Sequence, residues 1–504
     1  MWPPTMAAVV GYKYAVDTLG FYDSFGVGVG HLHEASELSS SLGDTNNRRT
    51  NTGQFLVSFV WNIFEMASFP TGRPYDLVLF GATGYIGSLI ARYLSASAPT
   101  TLKWAVSGRN MSKLQELVHT LEKDNPHRPA PGIVLASLAL QDLDRMTAQT
   151  RLVINVTGPF CKYGTPVVEA CICNRAAYVD STGEHVWANE IAARFHDQAR
   201  AQNTIIIPQC AIESSPPDIM CLALANCISE HQHSPLSPVS FSIEHSWPGY
   251  TGGTIASILA VLETYSLSQM NAAGAPLASC LPDAGQHNPY PAPILPVYHD
   301  AFLGPLTFNP SAMTDRAAVM RTWSLLQVHG EENERYGDSF SFNGYQRASS
   351  MLQGWFSFLG MSVAVFFVVL IPPIRSLLKW MAPPPGTGPV VGKHENHFVE
   401  WRAVVSAGAN GIDTGNKAIG VMRVDMDVYN CVAMMVSEAA LTLLEQQAAV
   451  GEGNQTSSLA MSLGGGVLTP ATLGWDYINK LKAAGLFMEV DMLRNGDSPT
   501  KKLK

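Results

Sequence analysis

The stretch Tyr75-Asp76-Leu77-Val78-Leu79-Phe80-Gly81-Ala82-Thr83-Gly84-Tyr85-Ile86-Gly87 decides the fold class of this 504-residue chain. YDLVLF reads as a short apolar strand, the glycines at 81, 84 and 87 as a tight turn, and the apolar residues at 86, 89, 90, 93 and 94 as one face of a helix. Together they form a receptor for a pyrophosphate. Glycine lets the backbone approach phosphate oxygens closely, and free N–H groups at the start of the helix face the negative charge. The spacing is GxxGxxG in place of the commoner GxGxxG, so the turn is weakly diagnostic alone and its surroundings carry the weight.

Those surroundings repeat the strand and helix pattern. Apolar segments fall at 102–107 (LKWAVS), 133–137 (IVLAS), 151–156 (RLVINV), 176–180 (AAYVD) and 204–208 (TIIIP). Helical faces lie between them, including Met111, Leu114, Leu117, Val118 and Leu121, and then Trp187, Ile191 and Phe195. Alternation of this kind predicts a parallel sheet covered on both faces, with ligands at the carboxyl ends of its strands. The second strand ends in Ser107-Gly108-Arg109, where an NAD-preferring fold offers an acid to the ribose hydroxyls. No acid is present. Arg109 suits a 2′-phosphate, and a charge-assisted hydrogen bond of about 1.5–3 kcal/mol predicts a roughly ten- to hundredfold preference for NADP(H) over NAD(H). The alternative is that Arg109 caps the next helix in solvent. The run Asn155-Val156-Thr157-Gly158-Pro159 ends the fourth strand as a turn that serves either the backbone or a cofactor wall.

Composition narrows the classes further. Lys plus Arg number 32 against 41 Asp plus Glu, a net charge of −9, which argues against a nucleic-acid partner. Charged residues are 14% of the chain, below the roughly 25% of average domains, and hydrophobic ones 46%, so disorder is excluded and surplus apolar surface must meet a partner. A homodimer is one way to cover it. The eight cysteines show no CxxC pair and read as reduced thiols of a cytosol-facing protein. His394 and His397 in HENH miss the HExxH spacing, and no metal is assigned. Residues 1–65 join no periodic pattern and are expected to be a poorly ordered leader; GVGVG at 26–30 is rejected as a nucleotide loop because no strand precedes it.

YDLVLFGATGYIG, WAVSGRN, VINVTGPFCKYGTPVVEACI, AAYVDSTGE, the GGT at 252–254, DMDVYNCVAMMVSEAALTLL and GGGVLTPATLGWDYINKLKAAGLF together resemble the saccharopine dehydrogenase-like oxidoreductases and the related trans-acting enoyl reductases. The resemblance runs from about residue 75 to 488. It implies a Rossmann domain, a second α/β domain and a nicotinamide cofactor. Carried over residue by residue, it implies cofactor contacts at Gly81, Thr83, Gly84, Tyr85, Ile86, Gly87, Ser107 and Arg109, and also at Asn155, Gly158 and Pro159.

The chemistry is less legible. A Tyr-x-x-x-Lys pair is missing, since Tyr477 stands three residues from Lys480 and far beyond the cofactor unit, and there is no GxSxG elbow. Hydride delivery to C=C, C=O or C=N needs a general acid or fixed donors on the opposite side. Tyr163, Asp180 and Glu184 are the polar groups nearest the predicted strand ends, and each reads equally well as structural, Tyr163 in a turn and Glu184 at a helix start. Cys161 and Cys210 read better as small buried hydrophobes than as reactive thiols.

One segment stands apart. Residues 354–371, GWFSFLGMSVAVFFVVLI, are uncharged and mostly apolar, and no charge occurs from Ala348 through Ile374. As a helix they reach about 27 Å, just short of a hydrocarbon core of about 30 Å. Their Leu, Ile, Phe and Val residues favour insertion by roughly 3–7 kcal/mol before Gly and Ser subtract from it. Pro372, Pro373 and a stretch with Arg375, Lys379 and Trp380 follow. A full span would put residues 1–350 and 380–504 on opposite sides, and a buried core or dimer helix is the bland alternative. A monotopic anchor on a membrane or lipid droplet is expected, as in members of the resembled family.

The expectation is therefore an α/β chain: a Rossmann-type parallel sheet domain at 70–210, a second α/β domain with a mixed sheet at 211–345 and 396–490, an inserted hydrophobic helix in a membrane-associating segment at 350–382, and a tail at 491–504. Its expected function is NADP(H)-dependent reduction of an enoyl or carbonyl bond in a small hydrophobic, lipid- or polyketide-like substrate. The alternative is a non-catalytic nucleotide-fold interaction protein anchored on a membrane or lipid droplet.

Overall fold

Six short strands, β1 (Tyr75–Phe80), β2 (Trp104–Gly108), β3 (Gly132–Leu135), β4 (Thr150–Asn155), β5 (Ala177–Asp180) and β6 (Ile205–Ile207), form as the apolar runs require. The helices between them are α1 (Tyr85–Ser97), α2 (Met111–Asp124), α3 (Leu140–Ala148), α4 (Phe160–Cys173) and α5 (His185–Ala201). The computed structural model describes residues 72–493 apart from 233–234, 247–248, 286, 288–294, 385, 390–396, 410–411 and 455–457. The leader at 1–65, GVGVG and His394 lie outside the described residues, as do 494–504 of the tail.

Leu77, Val78 and Leu79 of β1 and Leu152, Val153 and Ile154 of β4 are fully buried, because helices cover both faces of the sheet. β1 lies between β2 and β4, parallel to both, with Phe80 opposite Ser107 on one side and Asn155 on the other. From β1 the chain winds outward in both directions, so the β1–α1 and β4–α4 turns meet at the carboxyl edge. That reversal point is where parallel sheets open a crevice for a ligand.

The chain continues through α6 (Ser215–Gln232), β7 (Leu236–His245), α7 (Gly252–Thr264), α8 (Leu267–Ala273), β8 (Tyr298–Asp300), β9 (Gly304–Phe308), α9 (Ala312–His329) and β10 (Phe342–Arg347). Beyond an exposed helical hairpin, α10 (Met351–Leu370) and α11 (Pro372–Met381), come β11 (Val399–Ala409), β12 (Ile412–Val424), α12 (Val428–Gly451), α13 (Leu459–Leu463), β13 (Gly466–Val467), α14 (Gly474–Ala483) and β14 (Phe487–Leu493). The second sheet runs β14-β12-β11-β7-β10-β9-β8 and is mixed: β7 and β10 are parallel, the other pairs antiparallel.

Two features go beyond the periodicity. β13, only Gly466 and Val467, adds a seventh parallel strand beside β6, and so a late segment closes the first sheet. A two-residue strand carries no pattern to read. α12 lies along α1, where the Tyr93 hydroxyl donates to Glu438 at 2.6 Å. In the C-terminal region Ile478, Leu481 and Leu486 are buried, whereas Trp475 is turned toward solvent.

The hairpin is the least enclosed part. Leu352, Phe356, Leu359, Val363, Phe366, Leu370 and Trp380 are exposed, and in α10 only Gly354 is buried, against Val297 and Thr307. The chain's own fold does not bury this helix: only 6% of the apolar window is covered, against 89% for α12, which is a core helix of similar length. β7, before the hairpin, pairs with β11, after it, with His245 opposite Val399. A single crossing would have to pull this sheet apart, so the chain leaves and returns on one side.

Candidate active site

Gly81 opens the glycine turn with φ +90°, a left-handed conformation that suits glycine. Its N–H and that of Ala82 donate to the Ser107 carbonyl at 3.0 and 3.1 Å, which ties the turn to the end of β2. A Cβ at Gly81 would lie 2.8 Å from Thr157 Oγ1, and one at Gly87 would lie 2.2 Å from the Gly81 carbonyl oxygen. Both glycines are thus required by close approach of other atoms. Gly84 gives α1 no side-chain cap, and no acidic residue stands in its first turn. The first N–H groups of α1 and the positive end of its dipole are left to an anion. Thr157 Oγ1, buried and without a hydrogen-bond partner, sits beside them. This cradle fits the pyrophosphate of a dinucleotide.

The other predicted positions divide between contact surface and support. Thr83, Tyr85 and Ile86 are at least partly exposed along the start of α1. The Ser107 side chain is buried and reaches Met146 Sδ at 3.3 Å, so its part in the cradle is played by its carbonyl. Arg109 is exposed and makes no ion pair among the described residues. The cap of α2 is Asn110, which accepts from Lys113 N at 3.0 Å, so the alternative reading of Arg109 as the cap is filled by its neighbour. Asn155 is a buried brace that donates to Tyr178 Oη at 3.1 Å and accepts from Thr157 N at 3.0 Å. Gly158 and Pro159, joined by a cis peptide, carry the wall on toward Ser257 of α7.

Of the three candidate acids, two are fully used. Glu184 accepts from Phe160 N at 2.8 Å and Cys161 N at 2.7 Å, and so caps α4. Asp180 accepts from Thr182 N, Gln209 N and the Tyr178 hydroxyl, and stitches the ends of β5 and β6 together. Burial pushes the Asp180 carboxyl up to about 7, against the pull of those bonds. Tyr163 stands in the helix, not in a turn, and is 40% exposed. Burial pushes the Cys161 thiol up to about 12 and the Cys210 thiol well above its usual range, as expected of small hydrophobes.

Residues 77–207, which contain this cradle, match the family model described as Saccharopine dehydrogenase NADP binding domain. This chain therefore carries a saccharopine dehydrogenase-type NADP-binding domain, and the proteins it is similar to bear oxidoreductase and enoyl reductase names. A Mycobacterium tuberculosis protein whose name classes it with the trans-acting enoyl reductases is 28% identical over 449 residues, 84% of this chain and 99% of that one. The mouse saccharopine dehydrogenase-like oxidoreductase is 32% identical over 166 residues, 31% of this chain and 38% of its own length. A Caenorhabditis elegans protein named lipid droplet localized protein is 31% identical over 173 residues, 34% of this chain and 40% of that one. The cofactor of this oxidoreductase is NADP(H), as its matched domain is an NADP-binding one.

Two further parts of the site escape the sequence pattern. The chain leaving the hairpin crosses the start of α1: Tyr85 Oη donates to the Pro389 carbonyl at 2.9 Å, Gly388 packs on the Tyr85 ring, and Gly252 N donates to the Thr387 carbonyl at 3.1 Å. Tyr85 also meets Tyr429 edge to face, with ring centroids 5.3 Å apart. The second part is Glu213, just beyond β6 in CAIESSPPDI. Its carboxyl is packed against Gly183, where a Cβ would lie 2.3 Å from Oε2. Asp315, buried in the first turn of α9, faces it, and Thr314 Oγ1 donates to the Gly183 carbonyl at 3.0 Å. His185 Nε2 is buried there without a partner, and burial, followed by the Arg316 charge, holds this imidazole down at about 4. The sequence holds a signal for Glu213: it is the acid that follows the last apolar run of the first sheet, one helix and one strand beyond Asp180 and Glu184.

Proposed function

We propose that this oxidoreductase reduces a C=C or C=O bond of a hydrophobic, lipid- or polyketide-like substrate. The observation that carries the reading is the uncapped, acid-free start of α1 above the Gly81–Gly87 turn, which has no structural use for its free amides. When bound there, NADPH supplies the hydride. The chain's own residues do the rest. The amides of the first α1 turn hold the pyrophosphate, Ser107 fixes the turn, Arg109 faces the 2′-phosphate, and Thr157, Gly158 and Pro159 wall the crevice toward the second sheet.

The enoyl reductase name of the relative that this chain matches over most of its length supports C=C reduction. The exposed hairpin supports a lipid-like substrate met at a lipid surface, as does the lipid-droplet name of another relative. α10 has 20 residues, so it is about 30 Å long, but it is rooted at both ends in one sheet and lies on a surface more readily than across it. Trp380 and Lys379 then stand where headgroups meet acyl chains.

The test uses the purified full chain with phospholipid vesicles and a panel of enoyl-, carbonyl- and imine-bearing lipids. Substrate-dependent loss of NADPH absorbance with at least one enoyl or carbonyl lipid is expected, together with co-flotation on vesicles that is lost when residues 351–381 are replaced by a Gly/Ser linker. NADPH binding without oxidation across the panel would favour the non-catalytic interaction protein.

A further inference from the structure

Three carboxyl groups stand at the carboxyl ends of β5 and β6. Two of them, Asp180 and Glu184, spend their oxygens on backbone N–H groups. Glu213 differs in each respect that matters for chemistry. It has no hydrogen-bond partner among the described residues, it retains some contact with solvent while the rest of its loop is buried, and its Oε2 rests on Gly183, where any side chain would displace it. Glu213 is within electrostatic reach of Tyr429, and the Tyr429 ring touches Tyr85 at the start of α1. Glu213, at the end of β6, is thus linked through Tyr429 and Tyr85 to the start of α1 at the glycine turn.

We propose that Glu213 is the proton donor of the reduction, the group on the substrate side of the crevice opposite the cofactor cradle. The assignment rests on the reductase reading above. As hydride from NADPH adds to one end of the C=C or C=O bond, the electron pair is left on the other end, and the Glu213 carboxyl gives its proton to that atom. NADPH is oxidised to NADP+, the substrate gains two hydrogens in all, and the resulting Glu213 carboxylate takes its proton back from water.

The surroundings favour the acid form that this step needs. Burial raises the Glu213 carboxyl above the usual carboxylate range. The titratable groups around it are Asp315 from α9, Tyr429 from α12 and, at the head of α5, His185, whose imidazole burial holds down at about 4. Asp315 is raised well above the usual carboxylate range, by burial first and then by the Glu213 charge. Asp315 is held by Asn309 Nδ2 at 3.2 Å and acts as a positioning residue.

The test is an infrared pH titration of the full chain, with NADPH fluorescence and steady-state kinetics on the same samples, for wild type, Glu213→Gln and Glu213→Asp. In wild type a protonated-carboxyl band should titrate above the usual carboxylate range. In Glu213→Gln that band should vanish, a second band from Asp315 should move down in pH, and NADPH affinity should stay within about twofold. General acid catalysis is typically worth 10²–10⁴-fold, so kcat should fall by about that factor in Glu213→Gln with KM little changed, and recover in part in Glu213→Asp. Identical carboxyl spectra in wild type and Glu213→Gln, or wild-type turnover by Glu213→Gln, would overturn the assignment and leave the reductase reading standing. Failure of the wild type to bind NADPH would overturn both.

Discussion

The glycine turn and the Glu213 corner lie along the same edge of one sheet and are built in opposite ways. The turn is local: residues 81–87 supply the cradle, and glycines leave room for it by presenting no side chains. The corner is assembled from Gly183, Glu213, Asp315 and Tyr429, four segments brought together when the second sheet and α12 pack on the first. The pyrophosphate cradle thus resides in the backbone of one short local stretch, and the Glu213 corner in side chains that exist as a group only after distant segments have packed together.

Breaking the local half should have the largest effect. Gly87→Ala places a Cβ 2.2 Å from the Gly81 carbonyl oxygen, a backbone atom with no room to yield. Overpacking of this kind costs about 3 kcal/mol, so NADPH affinity measured by fluorescence quenching should fall roughly a hundredfold as the turn is displaced. Arg109→Ala should cost about 1.5–3 kcal/mol of NADPH binding and leave NADH binding nearly unchanged, a loss of preference read by titrating both dinucleotides. The assembled half is sharpened by Tyr93→Phe, which removes the 2.6 Å bond to Glu438 between α1 and α12. Its expected cost is about 1–2 kcal/mol in the urea unfolding midpoint, with NADPH affinity unaltered, because the cradle does not depend on that contact.

The same contrast explains what the sequence could show. Six strands of the first sheet and the turn after β1 were legible because apolar periodicity and glycine spacing are local signals. Asn110 at the head of α2 and Ser107 behind the turn needed hydrogen-bond geometry to separate cap from contact. β13 was invisible, since Gly466 and Val467 become a strand only by pairing with β6. The hairpin was legible as apolar, but its exposure follows from β7 pairing with β11 across it, a long-range fact. Asp180 and Glu184 drew the eye as acids near strand ends, and only their bonded oxygens show that they are spent on the backbone.

One titration tests the central claim most directly: calorimetry of the full chain with NADPH and then with NADH. A single saturable site is expected, with NADPH bound roughly ten- to hundredfold more tightly through Arg109. Absence of saturable heat with both dinucleotides would contradict the reading of the first α1 amides as a phosphate receptor.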